Sequence, residues 1–345
     1  MFSFRNDYSE LCHENILKKL VENNHAQFDG YSDDVASKRV ISQLKTILDN
    51  QDVDIHFLSG GTQTNLVAIS TILKPYQGVI AADTGHIATH ETGAIEATGH
   101  KVITVKGENG KIKPYMIKSV IDEHYSDESR EHAPQPAMVY ISNPTELGTV
   151  YTRDELADLK TICKAYDIPL YMDGARLAQV LANKDTNISL KDLPNLCDLF
   201  YIGGTKNGAL FGECLVISNE NYKKDFRYNL KQRGALLAKG FSISLQYEAL
   251  FEDDLYIKLG AKSNENAKYI ADELKKLNIK FLVPVESNQL FPILDNQLIE
   301  KLRKEYLFYT WQVIDENNSA VRLCISWDTP NEIVKKFIED VKKYI

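Results

Sequence analysis

"LFYIGGTKNGALFGECLVIS", residues 199–218, sets two apolar runs around a glycine-rich turn that holds one lysine, Lys206. The runs "LFYIGG" and "ECLVIS" are apolar without strict alternation, which is the pattern of strands covered on both faces by helices. The turn between them has two readings. As a plain hairpin, it carries a lysine whose stem crosses apolar surface while its ammonium reaches water. As a site, it holds the lysine where water is scarce. A dehydrated ammonium loses its proton more easily, and a free amine attacks carbonyls.

Working outward, five more β-like runs precede it: "DIHFL" (54–58), "GVIAAD" (78–83), "KVITVK" (101–106), "AMVYIS" (137–142) and "IPLYMD" (168–173). Helical patterns separate them, and "DDVASKRVISQLKTILDN" (33–50) has apolar residues at helical spacing ahead of the first. Alternating strand and helix predicts an α/β fold with a mainly parallel, right-handed wound sheet. The polar stretch "SDESREHAPQP" (126–136) reads as a loop before a strand. After about residue 245 the pattern changes. A long helical region leads to a helix at 295–306, to strand-like "FYTWQVI" and "AVRLCIS", and to a closing helix after Thr329. The expected organisation is an N-terminal segment (1–25) joining a small domain, a large domain (26–245) and a small α+β domain (246–345).

The chain has 345 residues, 43% hydrophobic and 26% charged, with a net charge of −8. That length supports a large core plus a smaller domain, and the acidic balance with scattered lysines argues against a nucleic-acid groove. The start lacks a basic segment followed by an apolar run, and no apolar stretch is long enough to span a bilayer. Five widely spaced cysteines without a CxxC read as reduced thiols of a cytoplasmic protein, with no metal site.

Three further stretches carry chemistry. In "HFLSGGTQTNLVAISTIL" (56–73), Gly60, Gly61 and Thr62 open an amphipathic helix. Free amides and the helix dipole there favour an anion, although an ordinary N-cap looks the same. GxxxxGK[ST] and GxGxxG are both absent, so the anion belongs to neither ATP nor NAD. In "LYMDGARLAQVL" (170–181), Asp173 ends a strand and Arg176 follows; the alternative is a helix cap with a surface ion pair. "ADTGHIATHETGAIEATGH" (82–100) offers His86, His90 and Glu91 after another strand, though a histidine there is often structural. An amine, a carboxylate, a planar ring and an anion cradle thus fall at strand carboxyl ends, where open parallel sheets bind ligands. Pyridoxal 5'-phosphate needs those four groups.

In order along the chain, "FRNDYSE", "GYSDDVAS", "GGTQTNL", "HIATHETGA", "SNPTELGTVY", "YMDGARL" and "GGTKNGALFGE" resemble the threonine aldolase/β-eliminating lyase family. The resemblance spans nearly the whole chain. It implies fold type I, the aspartate-aminotransferase-like architecture, with a seven-stranded sheet. It implies Lys206 as the lysine that bonds the cofactor, Asp173 as partner of the pyridine nitrogen, and His86 as the stacking ring. Gly61 and Thr62 correspond to the phosphate cradle, and Asn143 to a contact with the cofactor's 3-oxygen. Arg176, Arg322 and Asn6 correspond to the substrate-carboxylate site. In "SNPT" (142–145) the family's histidine is lost, and His90 stands where an apolar or aromatic residue is common.

Lys231, Arg233 and Lys239 are the candidates for a phosphate contact from a neighbouring subunit. The implied activity is retro-aldol cleavage of a β-hydroxy-α-amino acid to glycine and an aldehyde by a homodimer or homotetramer. The base is left open between His86, His90 and a bound water. β-Elimination on the same cofactor, a catalytically silent binding protein and a purely structural α/β protein are the competing readings.

Overall fold

A computed structural model describes residues 1–345. Its main sheet has seven strands: β1 (Asp54–Leu58), β2 (Gln77–Ala82), β3 (Val102–Val105), β4 (Gln135–Ser142), β5 (Leu170–Asp173), β6 (Leu199–Gly203) and β7 (Glu213–Ile217). Each expected run is a strand, with ends that shift by a residue or two. The sheet order is β1-β7-β6-β5-β4-β2-β3. All neighbours are parallel except β7, which runs antiparallel to both β6 and β1. The physical reason is the opening stretch: residues 204–212 are too few for the crossover that parallel strands need, so the chain returns as a hairpin. The hairpin and the site therefore occupy the same turn. Since Glu213 pairs with both Leu58 and Gly203, the start of β7 lies at the edge where the parallel strands end.

The absence of alternation has a direct cause. Along β6, Phe200 and Ile202 face a core of aliphatic and aromatic residues shared with Ile80, Ile141 and Met172. Leu199 and Tyr201 face the opposite core with Val79, Tyr140 and Tyr171. Both faces are covered, so both sets of side chains are removed from water. A further core, containing Leu290, Leu323, Phe337 and Val341, lies in the C-terminal part, and Phe4 from the N-terminus packs into it. Phe2–Ser3 pairs parallel with Tyr306–Leu307, while Ile16 belongs to the large core, so the first residues bridge the two bodies. Helix Leu255–Lys276 also bridges them: Leu255 and Leu259 enter the large core and Ile270 and Leu274 the small one. No helix is long and apolar enough to cross a membrane, and all five cysteines are unpaired.

The expected helix near 33–50 forms over Val35–Ile47, started by Asp34, whose carboxylate accepts from the Ser37 amide. The helix of "HIATHETGA" is a single turn, His86–Thr89.

The turn after β5 tolerates only glycine. A Cβ on Gly174 would lie 1.9 Å from the Tyr201 carbonyl oxygen, because β5 and β6 close on one another there. Gly174→Ala is therefore expected to destabilise the protein by about 3 kcal/mol or more. A urea titration checks this, and an unchanged midpoint would show that the backbone yields easily.

Candidate active site

The carboxyl edge of the sheet is organised around Asp173, which is 4% exposed. Its Oδ1 accepts from the Tyr201 hydroxyl (2.5 Å) and the Ala175 amide (3.0 Å). Its Oδ2 accepts from the Tyr140 hydroxyl (2.7 Å) and Asn65 Nδ2 (3.0 Å). Burial alone pushes this carboxyl up, but the His86 ring and the hydrogen bonds from Tyr201, Asn65 and Ala175 outweigh it and hold it below its usual range. Burial and the neighbouring Asp173 charge push the Tyr140 and Tyr201 phenols far up, so both stay donors.

Asn65 links this carboxylate to a second one. Its Oδ1 accepts from Tyr171 (2.7 Å), and its Nδ2 also donates to Glu91 Oε1 (2.7 Å). Glu91 Oε1 in turn lies 2.8 Å from His86 Nδ1. A carboxylate can only accept, so this contact puts a proton on Nδ1 and fixes the ring. The His86 amide donates to Glu146 Oε1 at 2.9 Å, and the Ser142 hydroxyl donates to the same atom at 2.6 Å.

Lys206 lines a cavity of about 310 Å³ together with Asp173, His86, Gly60, Gly61 and Thr62. Its ammonium has no hydrogen bond or ion pair. Burial and the Arg176 charge lower its pKa, while Asp7, Asp173 and Glu213 oppose them. Glu213, 3% exposed, accepts from the Gly204 amide (3.1 Å), and burial raises its carboxyl. Across the cavity, helix Gly61–Ile72 begins with no side-chain cap, and its first amides find no acceptor in the chain. A Cβ on Gly60 would meet nothing within 4 Å, so the space in front of those amides is open. An unpaired amine, a shielded carboxylate, a fixed flat ring and an open anion cradle fit a planar phosphorylated cofactor that bears a carbonyl.

A second cavity of about 280 Å³ adjoins the first and shares Tyr8, His86, Glu146, Arg176 and Lys206 with it. Its own residues are His90, Gln289, Trp311 and Arg322. Arg176 gives Nε and Nη2 to Asp7 (2.6 and 3.0 Å), leaving Nη1 without a protein partner. Arg322 gives one nitrogen to Gln289 Oε1 (2.7 Å), lies 5.6 Å over the Trp311 ring, and has a buried Nε with no acceptor. Burial, together with the charges of His86 and Arg322, lowers the pKa of His90.

Two expected residues are not brought to either cavity. Asn6 spends its Oδ1 on the Tyr8 amide and the Ser9 hydroxyl, and Tyr8 is the residue of that segment that lines the site. Asn143 pairs its amide with both backbone groups of Tyr151, and Ser142 and Pro144 face the cavity instead. Of the three basic candidates, Arg233 lies beside the cradle helix, its carbonyl accepting from Gln63 at 3.5 Å. Lys231 sits over the Tyr31 ring, and Lys239 lines a groove elsewhere. Tyr8, Glu146, Glu213 and the tyrosine layer carried no mark in the sequence motifs, and Asn65 stood there only as a polar residue of the helix's first turn. A tyrosine inside each of the runs "VYIS", "LYMD" and "FYIG" was the available signal for that layer.

The architecture is that of fold-type-I pyridoxal phosphate enzymes. A histidinol-phosphate aminotransferase from Clostridium acetobutylicum, 15% identical, shares the fold with a TM-score of 0.74 over 99% of this chain and 98% of that one. The model of the beta-eliminating lyase family matches residues 17–297, and the chain belongs to that family. Among its relatives, the low specificity L-threonine aldolase of Pseudomonas sp. (strain NCIMB 10558) is 30% identical over 97% of this chain and 95% of its own length. The solved threonine aldolase of Leishmania major is 43% identical, with a TM-score of 0.96 over 99% of both chains. The protein is a lyase of this family.

The Asp7–Arg176 pair gives the site a pH signature. Burial raises the Asp7 carboxyl, but the Arg176 and Lys206 charges and the hydrogen bonds from Arg176 and Asn288 bring it down to about 2 from 3.8. Its stabilisation is complete above the ordinary value and is lost as pH falls through about 2, a span worth about 2 kcal/mol. Asp7→Asn should cost about 3–5 kcal/mol at pH 7, since it leaves Arg176 buried and unpaired. Between pH 4 and pH 2, urea midpoints should also fall less in the variant than in the wild type. Parallel pH profiles for the two proteins would contradict the assignment.

Proposed function

We propose that the chain binds pyridoxal 5'-phosphate in the larger cavity and cleaves a β-hydroxy-α-amino acid, of threonine or allo-threonine type, to glycine and an aldehyde. One observation carries this reading: a single cavity joins an unpaired Lys206, a shielded Asp173 and an uncapped helix start, and opens onto two arginines with free nitrogens. When bound, the cofactor supplies an electron-accepting ring that stabilises charge at the substrate Cα.

The chain's residues do the rest. The amides of Gly61 and Thr62 take the phosphate, and Lys206 is the attachment point. Asp173, kept ionised by its four donors, holds a proton on the ring nitrogen. His86 covers the ring face in the orientation set by Glu91. Arg176, through Nη1, and Arg322 would bind the substrate carboxylate and so orient the groups on Cα. The β-substituent then reaches toward His90 and Trp311. In this reading the molecule is a cytoplasmic homodimer or homotetramer, and a second copy closes the exposed side of Thr62.

The family's description as beta-eliminating lyases favours a second reaction on the same residues: loss of a β-leaving group to give a keto acid and ammonia. Incubation with threonine, allo-threonine, serine, cysteine and tyrosine separates the two. Glycine with an aldehyde is the expected product pair, whereas pyruvate with ammonia as the main products would overturn the aldolase reading.

Lys206→Ala should lower turnover at least about 1,000-fold and Asp173→Asn about 100-fold, the range seen when a group stabilising charge in the transition state is removed. Wild-type rates in either variant would remove that residue from its role. Gly60→Ala should fold normally yet bind the cofactor about tenfold more weakly, a loss of ~1.4 kcal/mol, in an equilibrium titration. Unchanged affinity would show that the phosphate lies elsewhere.

A further inference from the structure

Glu146 is a buried carboxyl that the chemistry above leaves without a task. It is 9% exposed and lines both cavities, at the junction where a substrate's β-carbon must lie if the cofactor fills one and the substrate side chain the other. Its two oxygens differ. Oε1 is anchored by the His86 amide (2.9 Å) and the Ser142 hydroxyl (2.6 Å). Oε2 makes no hydrogen bond to another residue; the residue's own backbone amide is the further donor to this carboxyl, and both cavities reach the side chain. A carboxyl held by one oxygen with the other free is a positioned proton acceptor.

We infer that Glu146 removes the proton of the substrate's β-hydroxyl during carbon–carbon cleavage. The other residues that line both cavities are less suited. Arg176 is a cation, Lys206 is committed to holding the cofactor, and burial and Asp7 push the Tyr8 phenol up, so it is a donor. His86 already has one ring nitrogen committed to Glu91 and is the ring that covers the cofactor. In the sequence the family's histidine is lost from 142–145, and Glu146, the next residue, is the titratable side chain brought to the cavity there.

The inference rests on the aldolase reading. In the step, the O–H bond of the β-hydroxyl breaks and its proton goes to Oε2. The freed electron pair becomes the second bond of the aldehyde carbonyl, and the Cα–Cβ bond breaks with its pair left on the glycine fragment. Glu146 gives this proton to solvent and a separate proton, drawn from solvent, is added at Cα, so turnover restores the carboxylate with no net oxidation. Ionisation of Glu146 is required. Burial raises its carboxyl, with Asp173 adding to the rise, while Ser142 and His86 oppose it. Arg176, Lys206, Arg322 and His90 complete the charged surroundings across the cavity. Activity should therefore fall on the acid side as Glu146 protonates.

Glu146→Gln tests this in the cofactor-loaded enzyme. The amide oxygen can keep both anchoring contacts, so the fold is preserved while the free acceptor is lost. Threonine cleavage is compared with exchange of the glycine α-hydrogen for deuterium, a reaction with no β-oxygen. The expected result is a fall in the ratio of cleavage to exchange of about 100-fold or more. The acid limb of kcat/KM should vanish as well, with partial recovery of cleavage in Glu146→Asp. A ratio within threefold of wild type, or equal loss of both reactions, overturns the proposal and leaves the proton to His86, His90 or a bound water. A wild-type enzyme that exchanges glycine but releases no aldehyde from threonine instead refutes the aldolase reading on which the proposal depends.

Discussion

A negative charge kept inside the molecule is the constraint on which the rest depends. Taking a carboxylate out of water costs several kcal/mol, and Asp173 at the end of β5 recovers this through four donors on its two oxygens. Hydrogen bonds to a charged group contribute about 1.5–3 kcal/mol each, so the set outweighs the cost while a pair would not. Two of the donors are tyrosines on β4 and β6, the strands on either side of β5, and they share one face of the sheet. The core therefore does two things at once. Its aromatic rings fill the space under the helices, and their hydroxyls hold a charge at the edge.

From that carboxylate the site extends by short, closed contacts. Asn65 ties it to Glu91, Glu91 orients His86, and the His86 backbone anchors Glu146. On the other side, the turn that follows β6 brings Lys206 to the same edge, because nine residues between Gly203 and Glu213 force a hairpin. The arginines come from elsewhere: Arg176 follows Asp173 directly, and Arg322 reaches in from the smaller body. Asp7, near the N-terminus, locks one edge of Arg176 and leaves the other for a ligand. The N-terminal segment thus serves the site by orienting a cation that belongs to the sheet.

Much of this was legible in the sequence, for a physical reason. Strands buried on both faces must be apolar throughout, so the inner strands of the main sheet stood out as continuous runs, while the edge strand β3 is only partly buried, and residues following strand ends could be placed at one edge. Asp173 was readable because it ends such a run, and Lys206, His86 and Arg176 because each lies just beyond the end of one. What the sequence hid depends on side-chain direction and long-range contact. Asn6 and Asn143 have suitable chemistry but turn their amides to nearby backbone, while Tyr8 and Ser142 face the cavity. Glu146 and Glu213 looked like ordinary acidic residues until the fold buried them, and Asn65 was one polar residue on a helix. The antiparallel return of β7 was implicit in loop length.

Lys206, unpaired in a cavity shaped by Asp173, is the residue proposed to attach pyridoxal 5'-phosphate. Protein saturated with the cofactor can be treated with borohydride, digested and analysed by mass spectrometry. The expected result is a pyridoxyl group on the peptide that contains Lys206, with stoichiometry near one per chain. Attachment at another lysine, or no adduct at saturation, would contradict it.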